Sequence, residues 1–211
     1  MYLKVKRLID ITLSFIGLVV LSPLFLILVI GIKLDSKGPV LFKQKRVGIN
    51  KTHFNLLKFR TMRIDTPKDT PTHLLKDPDQ YITKMGKFLR KTSLDELPQI
   101  FNILDGSMSI IGPRPALWNQ YDLIAERDKY RVNDVLPGLT GWAQIKGRDE
   151  LPIDVKAQLD GEYVQNIGLK FDIKCFFGTF ISVIKSDGVV EGGTGAQTKE
   201  EAASEKETVS K

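Results

Sequence analysis

The chain has 211 residues and carries 31 Lys and Arg against 25 Asp and Glu, a formal net charge of +6 at pH 7. One cysteine and two histidines exclude a disulfide framework and a Cys-rich zinc or iron–sulfur site, and an apolar content of 42% excludes global disorder. The basic excess indicates an anionic partner, which is a phosphate, a nucleic acid or a lipid headgroup.

The first element is an uncharged apolar run over residues 11–32, long enough as a helix to match the hydrocarbon thickness of a bilayer. Its length and the lack of a cleavage site argue against a signal peptide. Ser22-Pro23 lies in the middle, where proline predicts a kink and the serine hydroxyl can satisfy a freed backbone group. Both flanks are basic, whereas a spanning helix has its Lys/Arg excess on one side. The pattern fits a kinked spanning helix and a re-entrant segment equally well.

Short strands and amphipathic helices are predicted after this segment. Lys58 and Arg60 alternate along a predicted strand and share one face, which either faces water or binds an anion; spacing alone favours water. The helix at 171–184 is rich in Phe and Ile and suits either the core or a bilayer surface. The predicted elements are strands at 40–42 and 54–62, a loop at 63–80, helices at 82–89, 97–104, 120–133, 153–167 and 171–184, and a disordered tail from 188.

The segment 90–99 contains adjacent carboxylates, Asp95 and Glu96. Ser93 and Glu96 have the spacing of a helix capping box, and this interpretation is favoured by spacing alone, although Pro98 fits that register poorly. The functional alternative assigns one carboxylate as a nucleophile on phosphorus and its neighbour as a ligand of Mg²⁺.

Two further segments have the composition of phosphate sites. Arg114 lies between two prolines, which restrict the backbone and suit either a phosphate clamp or a rigid exposed turn. The glycines of 137–148 allow close backbone approach to a ligand, and Trp142 among them suits base stacking or a membrane interface. The segment lacks the spacing of a Walker A loop or a dinucleotide fingerprint. Spacing assigns no role to Asp160, Glu162, Tyr163 or Asp172.

Taken together, these segments resemble the bacterial sugar transferase family, the monotopic phosphoglycosyl transferases of the small single-domain type. Each segment alone is weakly specific, but their order along residues 4–188 is highly specific. The matching segments are Lys6-Arg7 with Asp10, Ser22-Pro23, Gly38-Pro39 with Phe42-Lys43-Gln44, and residues 58–62, 93–99, 112–115, 137–144 and 147–148.

The resemblance implies a mostly helical α+β fold with short strands. It implies a re-entrant helix-break-helix over residues 1–36 that bends at Ser22-Pro23, a cytosolic catalytic domain over 37–187 and a disordered tail over 188–211. It places the protein at the cytoplasmic face of the bacterial inner membrane, in contact with membrane lipids. Downstream glycosyltransferases are further partners that it suggests.

The resemblance also implies the reaction: a sugar-1-phosphate passes from a UDP-sugar to undecaprenyl phosphate, with release of UMP, as the first membrane step of glycoconjugate assembly. Asp95 is then the nucleophile that forms a covalent phosphosugar intermediate, and Glu96 holds Mg²⁺. The residues expected to contact nucleotide or phosphate are Lys58, Arg60, Arg90, Arg114, Gln144 and Arg148.

Two alternatives remain open at this point: a membrane-anchored glycosyltransferase that releases UDP, and a non-catalytic scaffold for polysaccharide assembly. A nucleic acid is disfavoured as the partner, because the basic residues flank the apolar run and no aromatic stacking platform is evident.

Overall fold

The structure, a computed structural model, describes residues 2–66, 80–147 and 151–184. These residues are mostly helical with short strands, as the sequence predicts. The predicted tail and most of the loop at 63–80 lie outside the described residues. The helices are α1 (Tyr2–Asp35), α2 (Lys84–Lys91), α3 (Gln99–Asp105), α4 (Tyr121–Asp128), α5 (Trp142–Lys146), α6 (Ile153–Gln165) and α7 (Leu169–Ile184). The strands are β1 (Leu41–Val47), β2 (His53–Phe59), β3 (Ser109–Ile111) and β4 (Gly138–Thr140).

Helix α1 is 34 residues long and contains Pro23. It is long and apolar enough, by length and composition, to cross a membrane. Ser22 Oγ donates to the carbonyl of Val19 at 2.8 Å, which is the oxygen that the missing amide of Pro23 leaves without its helical partner. The predicted role of the Ser22 hydroxyl is therefore confirmed. The helix assignment continues across Ser22 and Pro23, so the predicted helix-break-helix is not confirmed.

The rest of the described fold packs against both halves of α1. In the second half, Leu28 and Ile32 are buried with Phe59 and Leu89. In the first half, Arg7 and Asp10 bind α3 and β3 respectively. The outward side of α1 exposes large apolar side chains, which are Leu3, Val5, Leu8, Ile11, Leu13, Phe15, Ile16, Val19, Val20, Leu26, Ile27, Ile30 and Leu34.

Strands β1 and β2 form an antiparallel hairpin in which Leu41 pairs with Phe59 and Val47 with His53. The side chain of Asn102 in α3 bonds the main chain of β2. Its Oδ1 accepts from the amide of Leu57 at 2.9 Å, and its Nδ2 donates to the carbonyl of Asn55 at 3.0 Å. Asn102 is buried, so these bonds fix α3 beside the strand that carries Lys58.

Strands β3 and β4 are parallel, with Ser109 opposite Gly138 and Ile111 opposite Thr140. Glycines let their backbones approach closely. A Cβ on Gly138 would lie 2.1 Å from the nitrogen of Gly112, and one on Gly141 would lie 2.1 Å from the carbonyl oxygen of Gly112. The glycines of this segment are predicted from the sequence to allow close approach of a ligand. That interpretation is wrong for Gly138 and Gly141, because the atoms that they admit belong to the chain's own backbone.

The long amphipathic segments form the expected helices, with one that ends early. The predicted helix at 120–133 stops as α4 at Asp128, and Arg131 has a left-handed φ of 58° before a short 3₁₀ turn at Val132–Asp134. The sequence of α7 suits either the core or a bilayer surface, and the helix has both buried and exposed side chains. Asp172 and Cys175 are buried, whereas Phe177 and Phe180 are exposed.

We expect Gly138→Ala to destabilise the protein by about 2–3 kcal/mol, because the new methyl group would force β3 and β4 apart. Gly168→Ala is the matched control, since a Cβ there meets its nearest atom at 3.7 Å, and it should change stability by less than about 0.5 kcal/mol. Thermal unfolding of the detergent-held proteins measures both. Equal melting temperatures for the two variants would contradict the close approach of β3 and β4.

Candidate active site

Asp95 and Glu96 lie on a short 3₁₀ turn, Leu94–Glu96, between α2 and α3. Leu94 and Leu97 pack against the apolar cluster around Phe59, so the turn is anchored by its apolar residues beside β2. Ser93 has a left-handed φ of 56°, and its side chain makes no capping hydrogen bond. The capping-box interpretation is therefore wrong, because the Glu96 carboxylate lies against cations instead.

The Glu96 carboxylate binds two cations from different parts of the chain. Its Oε1 accepts from Lys58 Nζ at 2.8 Å and from a terminal nitrogen of Arg114 at 2.7 Å, while the other terminal nitrogen lies 3.4 Å from Oε2. Burial alone would raise the pKa of Glu96, but Arg114 and Lys58 together hold that pKa well below its usual range. Glu96 is therefore an ionised, doubly paired carboxylate.

Asp95 has a different environment although it is adjacent in sequence. Its Oδ2 lies 3.6 Å from Lys58 Nζ, beyond the usual hydrogen-bond distance. Burial raises the pKa of Asp95, opposed by the charge of Lys58 and reinforced by that of Glu96. The pKa values of the two carboxyl groups thus move in opposite directions. Neighbouring carboxylates with opposite shifts are typical of sites in which each has its own chemical task.

Arg114 reaches Glu96 from the end of β3. The segment that carries it is bonded on both sides: Gly138 N donates to the carbonyl of Pro113 at 2.9 Å, and Arg46 donates to the carbonyl of Pro115 at 2.8 Å. These bonds and the two prolines leave the backbone little freedom. The structure therefore places the guanidinium on the Glu96 carboxylate rather than in solvent, and the role of Arg114 as a phosphate clamp stays a prediction.

Arg60 and Arg90 have separate positions. Strand β2 ends at Phe59, and Arg60 beyond it is buried, with Nε donating to the carbonyl of Pro39 at 2.6 Å and its terminal nitrogens to the carbonyls of Lys37 and Ser36 at 2.9 Å. Arg60 thus binds the loop after α1 and not the carboxylate pair. The predicted solvated face is wrong for this residue.

Arg90, at the end of α2, donates through Nε to Thr61 Oγ1 at 2.9 Å. Its charge also opposes the rise in the pKa of Asp95. Arg90 therefore belongs to the same electrostatic environment as the carboxylate pair. Thr61, its hydrogen-bond partner, lies in the 58–62 segment that carries the family resemblance, but the sequence assigns it no role, since a single threonine has no distinguishing pattern.

The glycine-rich segment contributes to packing where the structure describes it. Gln144 Nε2 donates to the carbonyl of Leu139 at 3.2 Å, and Arg148 lies outside the described residues. Trp142 is buried, its indole nitrogen donates to Glu162 at 2.8 Å, and Lys174 Nζ lies 4.3 Å from its ring centroid. Neither proposed role of Trp142, base stacking or membrane anchoring, is therefore supported, because the ring is in the core.

The other unassigned acids also have structural partners. Asp160 is buried and accepts from Arg127 Nε at 3.0 Å, which ties α6 to α4. Asp172 accepts a hydrogen bond from Tyr163 at 2.9 Å and another from Lys6 at 2.7 Å, which ties α7 to α6 and to α1. Removal of one partner from such a buried pair is costly, because the other charge remains buried.

The donor set for a divalent cation is small. Among the described residues, no group of three or more His, Cys, Asp or Glu side chains is placed to hold a metal ion. Asp95 and Glu96 supply two carboxylates, and Mg²⁺ is commonly bound by one or two carboxylates together with substrate phosphates. Glu96 Oε1 is already bound by Lys58 and Arg114, so Mg²⁺ shared with a phosphorylated substrate would use Oε2, whose contact with Arg114 is 3.4 Å, and the assignment of Glu96 as its ligand stays a prediction.

The opposite pKa shifts predict opposite effects on stability. The raised pKa of Asp95 means that its ionisation destabilises the fold as the pH rises above 3.8, so we expect Asp95→Asn to unfold a few degrees higher than the unchanged protein at pH 7. The lowered pKa of Glu96 stabilises the fold above pH 4.5, and this contribution is lost as the pH falls through the lower, folded-state pKa. Glu96→Gln should therefore unfold at a lower temperature at pH 7.

Thermal unfolding of both variants between pH 3 and pH 8 measures this difference. The gain from Asp95→Asn should shrink as the pH approaches 4, and Asp122→Asn, at an exposed carboxylate of α4, is the control for an unrelated acid. A shift in the same direction for Asp95→Asn and Glu96→Gln at pH 7 would contradict the arrangement.

Comparison with known proteins identifies the family. The family model described as "Bacterial sugar transferase" matches residues 1–186. A Bacillus subtilis protein named "Uncharacterized sugar transferase EpsL" is 40% identical over 184 residues, which cover 87% of this chain and 89% of that protein. A UDP-glucose:undecaprenyl-phosphate glucose-1-phosphate transferase of Xanthomonas campestris is 41% identical over 191 residues, covering 87% of this chain and 39% of that protein.

A third relative differs in the sugar that its name gives. It is a UDP-N-acetylgalactosamine-undecaprenyl-phosphate N-acetylgalactosaminephosphotransferase of Aeromonas hydrophila, 37% identical over 193 residues that cover 89% of this chain and 45% of that protein. The chain thus spans less than half of these two longer relatives and most of the Bacillus protein. The match along nearly all of the described residues shows that this chain belongs to the bacterial sugar transferase family.

Proposed function

We propose that this protein transfers a sugar-1-phosphate from a UDP-sugar to undecaprenyl phosphate and releases UMP. The observation that supports it best is the pair of carboxylates with opposite pKa shifts beside Lys58 and Arg114. The names of the Xanthomonas and Aeromonas relatives describe sugar-phosphate transfer from a UDP-sugar to this lipid phosphate. The proposal extends that class of reaction to the present chain and leaves the sugar open.

In the first step, an oxygen of the ionised Asp95 carboxylate attacks the β-phosphorus of the UDP-sugar. A new bond forms between that oxygen and phosphorus, and the bond from phosphorus to the bridging oxygen breaks. UMP leaves with the electron pair of the broken bond, and the sugar phosphate stays on Asp95 as an acyl phosphate. The long contact between Asp95 and Lys58 supports this role, because it leaves the attacking oxygen without a close hydrogen bond from that lysine.

In the second step, an oxygen of undecaprenyl phosphate attacks the same phosphorus. The bond between phosphorus and Asp95 breaks, the carboxylate is restored, and the sugar is left on a lipid diphosphate. Lys58 and Arg114 are placed to offset the charge on the phosphoryl oxygens in both steps. When bound, Mg²⁺ would neutralise further phosphate charge, with Glu96 as its protein ligand.

We further propose that α1 enters one leaflet and returns to the cytoplasmic face. A helix of 34 residues is about 51 Å long if straight, so a spanning α1 would carry its two ends to opposite sides of the bilayer. The same globular body binds Arg7 and Asp10 near one end and buries Leu28 and Ile32 near the other. That arrangement supports a monotopic protein whose two α1 ends share one side.

Helix α7 supports a membrane contact for the globular body as well. Its exposed large apolar side chains recur at helical spacing on one face, and its first turn is tied to α1 through the bond between Lys6 and Asp172. The exposed side chains are Leu169, Ile173, Phe176, Phe177, Phe180 and Ile181. We assign this stripe to the same membrane surface that α1 enters.

The reaction is tested by the nucleotide that the purified protein releases in nanodiscs with Mg²⁺, undecaprenyl phosphate and a panel of UDP-sugars. We expect UMP with at least one donor. Asp95→Asn should reduce UMP release at least about 10³-fold, because it removes the attacking oxygen. Asp128→Asn, the same change at an exposed carboxylate, should retain full activity.

The products also separate the alternatives. Release of UDP would indicate a glycosyltransferase, and absence of nucleotide release from every donor would favour the scaffold. UMP release that survives Asp95→Asn would exclude Asp95 as the nucleophile.

The topology of α1 is tested by labelling single cysteines in a Cys175→Ser background. Lys4 and Lys37 are exposed and lie before and after the apolar run, so Lys4→Cys and Lys37→Cys report its two ends. A membrane-impermeant maleimide should label both in inside-out vesicles and neither in spheroplasts. Val20→Cys, near Ser22 and Pro23, should be protected in both preparations. Labelling of the two ends from opposite sides would show a spanning helix and contradict the monotopic arrangement.

A further inference from the structure

One edge of β3 is bonded to a carboxylate of α1. The amide of Ser109 donates to the carbonyl of Pro137 at 2.9 Å on the β4 side, whereas the amide of Ile110 donates to Asp10 Oδ1 at 3.2 Å on the other side. Ser109 Oγ also donates to Asp10 Oδ2 at 2.7 Å. Asp10 is only 3% exposed. Its carboxylate thus occupies the place that a neighbouring strand would take.

The carbonyl next along the same strand also connects to α1. Tyr163 lies with its hydroxyl 3.1 Å from the carbonyl oxygen of Ile111 and 2.9 Å from Asp172 Oδ1. Asp172 Oδ2 in turn accepts from Lys6 Nζ at 2.7 Å and from the hydroxyl of Tyr2 at 2.6 Å. Tyr2, Lys6 and Asp10 are spaced four residues apart and therefore share one face of α1. This face, defined by those three residues, is the polar face of α1.

Strand β3 leads directly to the candidate active site. Ile111 is followed by Gly112, Pro113 and Arg114, and the amide of Gly112 is itself bonded to the carbonyl of Thr140 at 2.8 Å. The prolines around Arg114 restrict its backbone, so a displacement of β3 would move the guanidinium rather than be absorbed by a flexible loop. A shift of about 1 Å in a positioning group is enough to reduce catalysis substantially.

The carboxylate pair is connected to the same part of α1 by a separate route. Arg7 donates to the carbonyls of Ile103 at 2.6 Å and Leu104 at 3.1 Å, in the last turn of α3. Helix α3 begins at Gln99, three residues after Glu96. The first turns of α1 therefore bind both segments whose side chains meet at the Glu96–Arg114 ion pair.

We propose that Asp10 is a positioning residue that binds β3 and thereby fixes Arg114 against Glu96. The polar face of α1 would then couple the position of α1 to the geometry of the active site. The catalytic part of this proposal rests on the proposed function. The chemistry of the position supports it, because a buried carboxylate at the edge of an apolar run is unfavourable unless hydrogen bonds compensate it. At Asp10 those bonds come from β3, the strand that leads to Arg114, and not from solvent.

The first test needs no substrate. Amide hydrogen exchange of the full chain in nanodiscs is measured for the unchanged protein, Asp10→Ala and Asp10→Asn. We expect exchange over 109–114 to become at least about tenfold faster in Asp10→Ala, with α4 unchanged as the internal reference, because a restraint on β3 alone is lost. Asp10→Asn retains an oxygen that accepts from Ile110 and should restore most of the protection. Unchanged exchange over 109–114, or an equal increase in α4, would overturn the proposal.

The second test is a double-mutant cycle between Asp10 and Arg114, read as kcat/KM for UMP release. We expect Asp10→Ala to lower kcat/KM about tenfold and Arg114→Ala about a hundredfold, with the double variant within about twofold of Arg114→Ala alone. A double variant whose loss of kcat/KM equals the product of the two single losses would show that Asp10 acts independently of Arg114 and would overturn the proposal. Asp10→Asn should recover most of the activity.

Two further variants keep the outcome interpretable. Ser109→Ala removes one of the two bonds to Asp10 and serves in place of Asp10→Ala in both tests if the Asp10→Ala variant does not fold. The loss of kcat/KM that Ser109→Ala causes should also disappear in the Arg114→Ala background. Lys51→Ala, at an exposed ion pair, should leave both measurements unchanged. If the unchanged protein releases no UMP, the proposed function fails, and the exchange measurement still decides whether Asp10 fixes β3.

Discussion

The carboxylate of Glu96, held between Lys58 and Arg114, is the interaction that the rest of the site depends on. It joins a 3₁₀ turn, a hairpin strand and the segment after β3 at one point. Each segment has its own restraint. Asn102 fixes α3 beside β2, and Gly138 lets the two parallel strands approach closely enough to place Arg114. Arg114 and Lys58 keep Glu96 ionised, whereas burial raises the pKa of the neighbouring Asp95, with the charge of Glu96 adding to that rise and Lys58 opposing it.

Helix α1 is the common support for these restraints. At its end, Arg60 binds the carbonyls of the following loop, and Asp35 accepts from the amide of Met85 at 2.9 Å in the first turn of α2. Helix α2 ends near Arg90, whose charge acts on Asp95. At its beginning, Asp10 binds β3. An apolar helix that binds elements on both sides of the site suits the proposed reaction, in which a soluble anionic donor and a lipid phosphate would meet at the membrane interface.

The sequence predicted the elements whose signal is local and missed those that depend on distant contacts. The apolar run follows from its length and lack of charge, and the amphipathic helices follow from periodicity. Ser22 supplies the hydrogen bond that the missing amide of Pro23 cannot give, as expected. The parallel pair β3–β4 has three residues in each strand, too few for a pattern. Spacing favoured a capping box at Ser93, and only the family resemblance favoured a functional Asp95. Trp142 was predicted to stack on a base or to lie at a membrane interface, but it is buried in the core. An aromatic residue among glycines and lysines is compatible with a core position as well as with a surface position.

In the proposed reaction, Asp95 carries the sugar phosphate covalently between the two steps. This role of Asp95 is tested most directly by mass spectrometry of the protein incubated with its UDP-sugar donor in the absence of undecaprenyl phosphate. We expect a mass increase equal to one sugar phosphate, located on the peptide that contains Asp95 and removed when undecaprenyl phosphate is added. Lipid-dependent product formation without any such adduct, or an adduct on another residue, would contradict this role of Asp95.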